Sequence, residues 1–157
     1  MTRVDELIAE LCPDGVAFAT LGNIARTVPG LTGKTKADFS NGNARFVSYK
    51  NAFANIAVDQ YAPDFVRVKA GERQNGLHEG DVVITGSSES VEEVGMSSVV
   101  TTEPTEPLYL NSFCFAVRFA EPALILPGFS KYLFRSYTIR SQIRGSASGV
   151  TRINISK

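Results

Sequence analysis

Short apolar runs separated by polar turns cover most of the chain, and their spacing predicts a mixture of helices and strands. The first run has the i, i+3, i+4, i+7 spacing of an amphipathic helix. Its apolar residues are Val4, Leu7, Ile8 and Leu11. The turn Pro13-Asp14-Gly15 then ends this helix.

Strands are predicted where β-branched and aromatic residues alternate with polar ones between turn residues. They comprise one or two segments within Val16–Val28, then Ala44–Tyr49, Phe65–Ala70, Val82–Ile84, Ser97–Thr101 and Leu108–Phe119, with alternating apolar residues again in Ser148–Lys157. The polar stretch Pro29–Asn43 is predicted to be a loop. Loops of this length in a compact domain are usually functional or disordered.

The run Val82–Ile84 is continuous and β-branched, which predicts a buried strand. Short polar side chains, Ser87–Ser90, follow it after Gly86. A rigid strand that delivers polar side chains to a surface loop is a common basis for a recognition site. An ordinary junction between a strand and a loop has the same pattern, so this run by itself leaves both interpretations open.

The strongest alternation lies within Leu108–Phe119. One face of this predicted strand carries Phe113, Phe115, Val117 and Phe119. We interpret this face as core, since a large apolar side chain contributes roughly 1.5–3 kcal/mol when it is fully buried. A platform on which bases stack would have a similar pattern, but the one nearby cation, Arg118, points to the other face.

One long amphipathic helix is predicted from Pro127 to Ser146. Its apolar stripe contains Phe129, Tyr132, Leu133 and Tyr137. Its cations are spaced four apart in two pairs, Lys131 with Arg135 and Arg140 with Arg144. A helix with such basic pairs can lie along phosphates.

The composition is that of one ordinary globular domain, with 157 residues of which 43% are hydrophobic and 20% charged. No apolar run approaches the ~20 residues of a membrane span, and acids interrupt the N-terminal apolar pattern, unlike in a secretory signal. Cys12 and Cys114 show neither metal-ligand spacing nor a disulfide framework. We therefore expect a cytoplasmic protein with reduced thiols. His78 is the single histidine, and no motif supports metal or nucleophilic catalysis.

The charges are unevenly distributed, although the formal net charge is zero. Residues 1–121 contain all 16 acidic side chains, whereas residues 122–157 contain six basic side chains and no acid. This asymmetry favours a basic face for a polyanion. A solvated helix face whose cations pair with acids elsewhere would look the same, so both interpretations stay open. Similarly, the Tyr49-Lys50-Asn51 run could serve nucleic acid, but taken alone it favours a strand end with a packed tyrosine.

The order and spacing of several motifs resemble a target recognition domain of the specificity subunit of type I restriction-modification systems. The motifs are CPDGVAFATLGNI (Cys12–Ile24), RFVSYKN (Arg45–Asn51), GDVVITGSSESVEEVG (Gly80–Gly95), LYLNSFC (Leu108–Cys114) and ASGVTRINIS (Ala147–Ser156). No single motif is diagnostic, and the match covers nearly the whole chain.

The resemblance implies an α/β (α+β) fold: one globular domain over residues 1–157, with a twisted, partly barrel-like, mainly antiparallel sheet and flanking helices. Residues 1–20 would form an N-terminal helix and the segment that leads into the domain. Members of this family usually carry two such domains joined by long helices. The spacer helix expected after residue 157 is absent, so we expect either an excised fragment or a half-length subunit. A second specificity half is a candidate partner.

The resemblance also implies a role without catalysis. Such a domain docks in the major groove of double-stranded DNA and reads one half of a bipartite target. Adenine methylation with S-adenosylmethionine would belong to a modification (methyltransferase) subunit, and cleavage with ATP and Mg would belong to a restriction subunit. These subunits are the expected partners, and no cofactor or metal is expected in this chain.

We hypothesise a division of labour among polar side chains, in which cations hold phosphates and uncharged side chains read base edges. The phosphate contacts would be Lys34, Lys36, Lys50, Arg73, Arg140, Arg144 and Arg152. The base contacts would be Asn51, Gln74, Asn75, Ser87 and Ser88, with Glu89 accepting from cytosine and Tyr49 available to stack. The alternative is a protein- or carbohydrate-binding module that uses the same loops, which would need an aromatic cleft or an exposed apolar patch.

Overall fold

The computed structural model describes residues 2–156, so Met1 and Lys157, the two ends of the predicted domain, lie outside the described residues. The helices are Arg3–Leu11 (α1), Leu21–Ile24 (α2), Tyr49–Ala54 (α3), Pro127–Leu133 (α4) and Tyr137–Gly145 (α5), with a 3₁₀ helix at Lys36–Phe39. The strands are Ala25–Pro29 (β1), Ala44–Val47 (β2), Phe65–Val66 (β3), Val82–Thr85 (β4), Ser87–Ser88 (β5), Ser97–Val99 (β6), Leu108–Leu110 (β7), Cys114–Phe119 (β8), Ala147–Ser148 (β9) and Ile153–Ile155 (β10).

These strands form three sheets. A four-stranded antiparallel sheet has the order β1-β8-β4-β6, and two three-stranded sheets have the orders β3-β2-β7 and β5-β10-β9. Of the strand pairs, β2 with β7 is parallel and the others are antiparallel. The predicted α/β (α+β) class with mainly antiparallel pairing is confirmed. The strands are nevertheless divided among three sheets, and none of the three closes into a barrel.

The four-stranded sheet is the central layer of the molecule, because both of its faces are buried. On one face, Cys114 and Ala116 of β8 pack in a cluster with residues of β2, β7 and α3. On the other face, Phe115 and Val117 pack in a cluster with residues of β10 and with Phe134, which follows α4. The predicted alternation of β8 and the predicted burial of β4 are therefore confirmed.

Several of the predicted elements are wrong in extent. The strand predicted over Phe65–Ala70 forms only at Phe65–Val66, and the strand predicted over Ala44–Tyr49 ends at Val47. Within Val16–Val28 the chain is irregular and then helical, and only Ala25–Pro29 forms a strand. Pairing begins there because Ala25 lies opposite Phe119, the last residue of β8. The predicted strand Leu108–Phe119 is divided into β7 and β8, which belong to different sheets. Phe113 lies between them and is 51% exposed, so it does not share the core face.

The long helix predicted over Pro127–Ser146 is also broken. The chain turns at Phe134, whose side chain is only 2% exposed in the core, and Ser136 then caps α5 by accepting from the backbone N–H of Ile139. A serine at an N-cap satisfies a free helical N–H and so favours a new helix start. The helical periodicity was correct, but the burial of one aromatic residue divides the helix.

Helix α1 confirms the first predicted element, and a capping box between Thr2 and Asp5 stabilises its start. Its apolar stripe does not pack against the core. Val4 is 62% exposed and Leu11 is 71% exposed. Amphipathic periodicity therefore predicted the helix correctly, but not where its apolar face would lie.

Candidate nucleic-acid interface

One end of the four-stranded sheet brings together segments that are distant in sequence. Because β8 runs antiparallel to both β1 and β4, the last residues of those two strands lie beside the start of β8. Hydrogen bonds continue this pairing beyond the strands, from Leu31 N to Leu110 O (2.7 Å) and from Gly86 N to Phe113 O (3.0 Å). We call this end the loop edge. It comprises Gly30–Leu31, Gly86–Ser88 and Asn111–Phe113.

The Asn111–Phe113 turn is held by its own side chain and by its neighbours. The Asn111 side-chain oxygen accepts from Phe113 N at 2.8 Å, and Asn111 O accepts from Cys114 N at 3.1 Å. Gly30 permits the close approach of the neighbouring strand, because a Cβ there would overlap Asn111 O. Ser112 and Phe113 are exposed as a result. Sequence reasoning missed both, although an Asn-Ser pair inside an apolar run is a turn signal.

Helix α3 begins beside the same turn, since Asn111 N donates to Val47 O at 3.0 Å. Ser48 caps α3 by accepting from the backbone of Asn51. Lys50 lies in the first turn of α3 with its side chain exposed. The structure therefore places one predicted phosphate contact next to the loop edge.

The turn that carries Arg73, Gln74 and Asn75 lies against the other side of the loop edge. Asn75 Nδ2 donates to Pro29 O at 3.4 Å. Gln74 accepts from Thr32 N at 3.1 Å and donates to Thr32 O at 2.8 Å. Arg73 and Asn75 are exposed. The amide of Gln74 is thus engaged in holding two loops together. Arg73 is exposed, and Asn75 is exposed apart from its one hydrogen bond to Pro29 O.

Arg152 reaches the loop edge from the C-terminal segment. Its Nε donates to Ser87 Oγ at 2.6 Å, and its guanidinium carbon lies 4.7 Å from the centre of the Phe113 ring. Three segments that are far apart in sequence therefore meet at this side chain.

Ser87 and Ser88 require a correction. We expected them on a surface loop, but they form β5, pair with β10, and are 7% and 5% exposed. Ser88 Oγ donates to Glu93 Oε2 at 3.2 Å. Their hydroxyl groups therefore organise the interior of the loop edge and do not project to a base. Glu89, the next residue, is exposed.

The predicted phosphate role of Lys34 is also corrected. Its side chain is only 6% exposed and forms an ion pair with Glu72, and Nζ also donates to Arg67 O at 2.6 Å. The Lys34 ammonium, with help from Gln74 and Lys69, lowers the pKa of Glu72 to about 2. This lysine is neutralised within the protein, whereas Lys36, at the start of the 3₁₀ helix, is exposed.

Asn51 and Tyr49 are structural residues rather than base contacts. Asn51 is 6% exposed, and its amide donates to Asp59 O at 2.8 Å while its oxygen accepts from Asp59 N at 3.1 Å. Tyr49 packs against the core and stacks on Phe53, with ring centres 6.3 Å apart. Tyr49 is packed as interpreted, but it is the first residue of α3 and does not lie at a strand end. The predicted base contact of Asn51 is wrong because its hydrogen-bonding groups face inward.

The C-terminal cations divide between internal and surface roles. Arg140 donates to Glu92 O and, at 3.4 Å, to Val94 O, and partial burial lowers its pKa. It therefore anchors the loop between β4 and β6, and its predicted phosphate role is corrected. Arg135, which was not among the predicted contacts, is likewise internal. Arg144 is partly exposed and close enough to Glu92 to lower the pKa of that carboxyl, after the larger effects of its own hydrogen bonds.

The described residues contain neither a membrane-spanning helix nor a cluster of metal-ligating side chains. No helix within residues 2–156 has the length and apolar character needed to cross a membrane. Over the same residues, no group of three or more His, Cys, Asp or Glu side chains is arranged to hold a metal ion.

Comparison with known proteins supports the fold. No protein-family model and no curated protein matches the chain in sequence. Its structure is similar to the S subunit of a type I restriction-modification system from M. genitalium, with a TM-score of 0.52 and 11% identity over 88% of this chain and 30% of that chain. It is also similar to the HsdS subunit from Thermoanaerobacter tengcongensis, with a TM-score of 0.51 and 15% identity over 96% of this chain and 37% of that chain.

The chain thus spans about a third of the length of each of these two subunits. The resemblance drawn from the sequence motifs is confirmed at the level of the fold, since the architecture described above is similar to that of part of each of these two subunits.

Proposed function

We propose that this chain recognises double-stranded DNA as part of a type I specificity subunit, reading one half of a bipartite target. The observation that carries the proposal is the convergence of exposed cations and amides on the loop edge of a fold shared with S subunits. Lys50 comes from α3, Arg73 and Asn75 from the turn before β4, and Arg152 from the C-terminal segment. Segments from several parts of the chain are therefore presented at one end of a rigid sheet.

The division of labour follows from which side chains are exposed or partly exposed. Lys36, Lys50, Arg73, Arg144 and Arg152 would contact phosphates, which position the protein without reading sequence. Asn75, Ser112 and Glu89 would read base edges, because they are exposed and lie on or beside the loop edge. Adenine methylation and cleavage, with S-adenosylmethionine, ATP and Mg, would be carried out by modification and restriction subunits that bind the intact specificity subunit.

The proposal is tested by exchanging this segment between two intact specificity subunits and sequencing the methylated sites in each host. One half of the bipartite target should change with the exchanged segment, and the other half should stay the same. A methylation pattern that is unchanged in both halves would overturn the proposal. The host that carries the unexchanged subunit is the control.

Binding by the isolated 157-residue chain provides a second test. A wrong base pair typically costs about 1–3 kcal/mol, and half of a split site offers few base pairs to read. The isolated chain should therefore bind duplex DNA weakly and with little sequence preference. Nanomolar, sequence-selective binding by this chain alone would contradict the idea that it reads only half a target.

One observation favours a second candidate function, a protein-binding module. The apolar stripe of α1 is exposed, and Phe18, which follows it, is 99% exposed. Exposed apolar surface is typical of protein contacts. If the chain acts through this surface alone, Leu11→Ser and Phe18→Ser should abolish partner binding, and Arg73→Ala should leave both partner and DNA binding unchanged.

A further inference from the structure

A cavity of about 330 Å³ opens at the loop edge beside Arg152. Its polar and aromatic lining comes from Ser87, Ser112, Phe113, Arg152 and Asn154, and no carboxylate of the described residues 2–156 lines it. Hydroxyl, amide and guanidinium groups are the donors that a phosphate oxygen accepts from. The lining therefore suits an anion.

The guanidinium of Arg152 is held in place before any ligand binds. Ser87 Oγ accepts from Nε at 2.6 Å, and the Phe113 ring supports the guanidinium at 4.7 Å. Ser87 is itself buried, and the Asn111 side chain fixes the backbone of Phe113. A guanidinium restrained on two sides loses less conformational entropy when it binds a ligand.

The same contacts leave the two terminal nitrogens of the Arg152 guanidinium available to a ligand. Only Nε is used internally, and within residues 2–156 the two terminal nitrogens have no hydrogen-bond or ion-pair partner. A guanidinium presents these nitrogens as a planar fork that matches two phosphate oxygens. Ser112 lies in the exposed turn that lines the same cavity.

We propose that this cavity is a phosphate-binding site, in which Arg152 donates to the phosphate and Phe113 and Ser87 are positioning residues. Inorganic phosphate and the phosphodiester of DNA share the chemistry that the site recognises. The assignment of the phosphate to a DNA backbone rests on the function proposed above. The site would hold DNA in register without reading sequence, since a phosphate carries no base information.

The first arm of the test uses the full 157-residue chain and inorganic phosphate. Titration should shift the NMR signal of the Arg152 side-chain N–H and the amide signals of Ser112 and Phe113 saturably. Arg152→Lys should weaken the phosphate dependence of the Ser112 and Phe113 amide shifts, because lysine keeps the charge but has no fork. Phe113→Ala should weaken them, and Phe113→Tyr should restore them because the ring is retained.

The second arm uses a duplex at low ionic strength and the dependence of binding on salt. Arg152→Ala should lower the slope of log K against log salt by about 1, equally for all sequences. Arg152→Lys should keep the slope but weaken binding by about threefold to tenfold, because one charge is retained without the bidentate contact. Arg26→Ala is the matched control: Arg26 is exposed on β1, opposite Arg118 and toward the other end of the sheet.

The outcomes separate this site from the function proposed above. If phosphate shifts the Arg152 signals but no variant or wild-type chain binds a duplex, the site stands and the DNA-binding function fails. If the duplex binds but Arg152→Ala behaves like Arg26→Ala and phosphate causes no shift, the site is refuted and the DNA-binding function stands. Thermal unfolding of each variant checks that the fold is intact.

Discussion

Arg135 connects the break between α4 and α5 to the rest of the molecule. Its Nε donates to Ser97 O at 2.8 Å, and one terminal nitrogen donates to Phe53 O at 3.0 Å and to Asn55 O at 2.9 Å. The acceptors belong to β6 and to α3 with its C-cap. Partial burial lowers the pKa of Arg135. One basic side chain therefore joins the turn between α4 and α5 to β6 and α3 through backbone carbonyls. We expect its loss to affect stability rather than DNA binding.

The size of the effect of Arg135→Met follows from these contacts. A hydrogen bond from a charged donor contributes about 1.5–3 kcal/mol. The free energies of the three hydrogen bonds cannot simply be summed, because two of the bonds share one nitrogen and water can reach part of the site. We therefore expect a loss of about 3 kcal/mol in the free energy of unfolding, since two bonds at the low end of the range give that value. For a chain of this length, the loss corresponds to a fall of about 6–12 °C in Tm.

The assay is urea unfolding followed by circular dichroism, together with the salt dependence of duplex binding. Arg135→Met should lower the urea midpoint with an unchanged m-value and leave the salt slope unchanged. The matched comparison is Arg73→Met, which removes an exposed cation. This variant should unfold within about 0.5 kcal/mol of the wild type, and its salt slope should fall by about 1.

The opposite pattern would refute the reasoning. If Arg135→Met unfolded like the wild type and its salt slope fell by about 1, its guanidinium would face the duplex and not the backbone carbonyls. The basic C-terminal segment would then act as one continuous phosphate-binding face, as the charge asymmetry alone suggested.

Two further predictions concern acid and thiol chemistry. The pKa of Glu72 is lowered from 4.5 to about 2, chiefly by Lys34. Between these two pH values the unfolded chain binds a proton at Glu72 that the folded chain does not bind. The stabilisation of the fold by the ionised Glu72 is therefore present above pH 4.5 and is lost as the pH falls through about 2. Glu72→Gln should therefore be less stable than the wild type near neutral pH and converge with it near pH 2 in urea midpoints. Burial raises the pKa of the Cys114 thiol to about 12. At pH 8, a disulfide reagent that releases a coloured product should therefore react rapidly with Cys12. It should react with Cys114 only after the protein has been unfolded.

Each of these predictions has a clear contrary result. A constant difference between Glu72→Gln and the wild type from pH 6 to pH 2 would mean that the ion pair is not coupled to protonation. Lys34→Met provides the control. It removes the other partner of the ion pair and should therefore reduce the same pH dependence of the urea midpoint. For the thiols, two rapidly reacting groups in the native chain would contradict the burial of Cys114, and Cys114→Ala identifies which thiol reacts.

Periodicity and composition were sufficient for the local elements. The continuous β-branched run Val82–Ile84 predicted a buried strand, and the alternation in β8 predicted its two faces. The four-residue spacing in Val4–Leu11 predicted α1. These predictions were correct because a single short segment contains the information: side chains two apart in a strand, or three and four apart in a helix, share a face whatever the rest of the chain does.

The fate of individual polar side chains was decided only by tertiary structure. Lys34, Asn51 and Ser87 have the residue types of a DNA contact, yet Glu72, Asp59 and Arg152 engage them from 38, 8 and 65 positions away in sequence. Pattern and charge describe what a side chain can bind, but a buried polar group must find its partner inside the fold. Only the packing of separate segments against one another determines which groups are satisfied there and which, like Arg73 and the terminal nitrogens of Arg152, are left facing solvent.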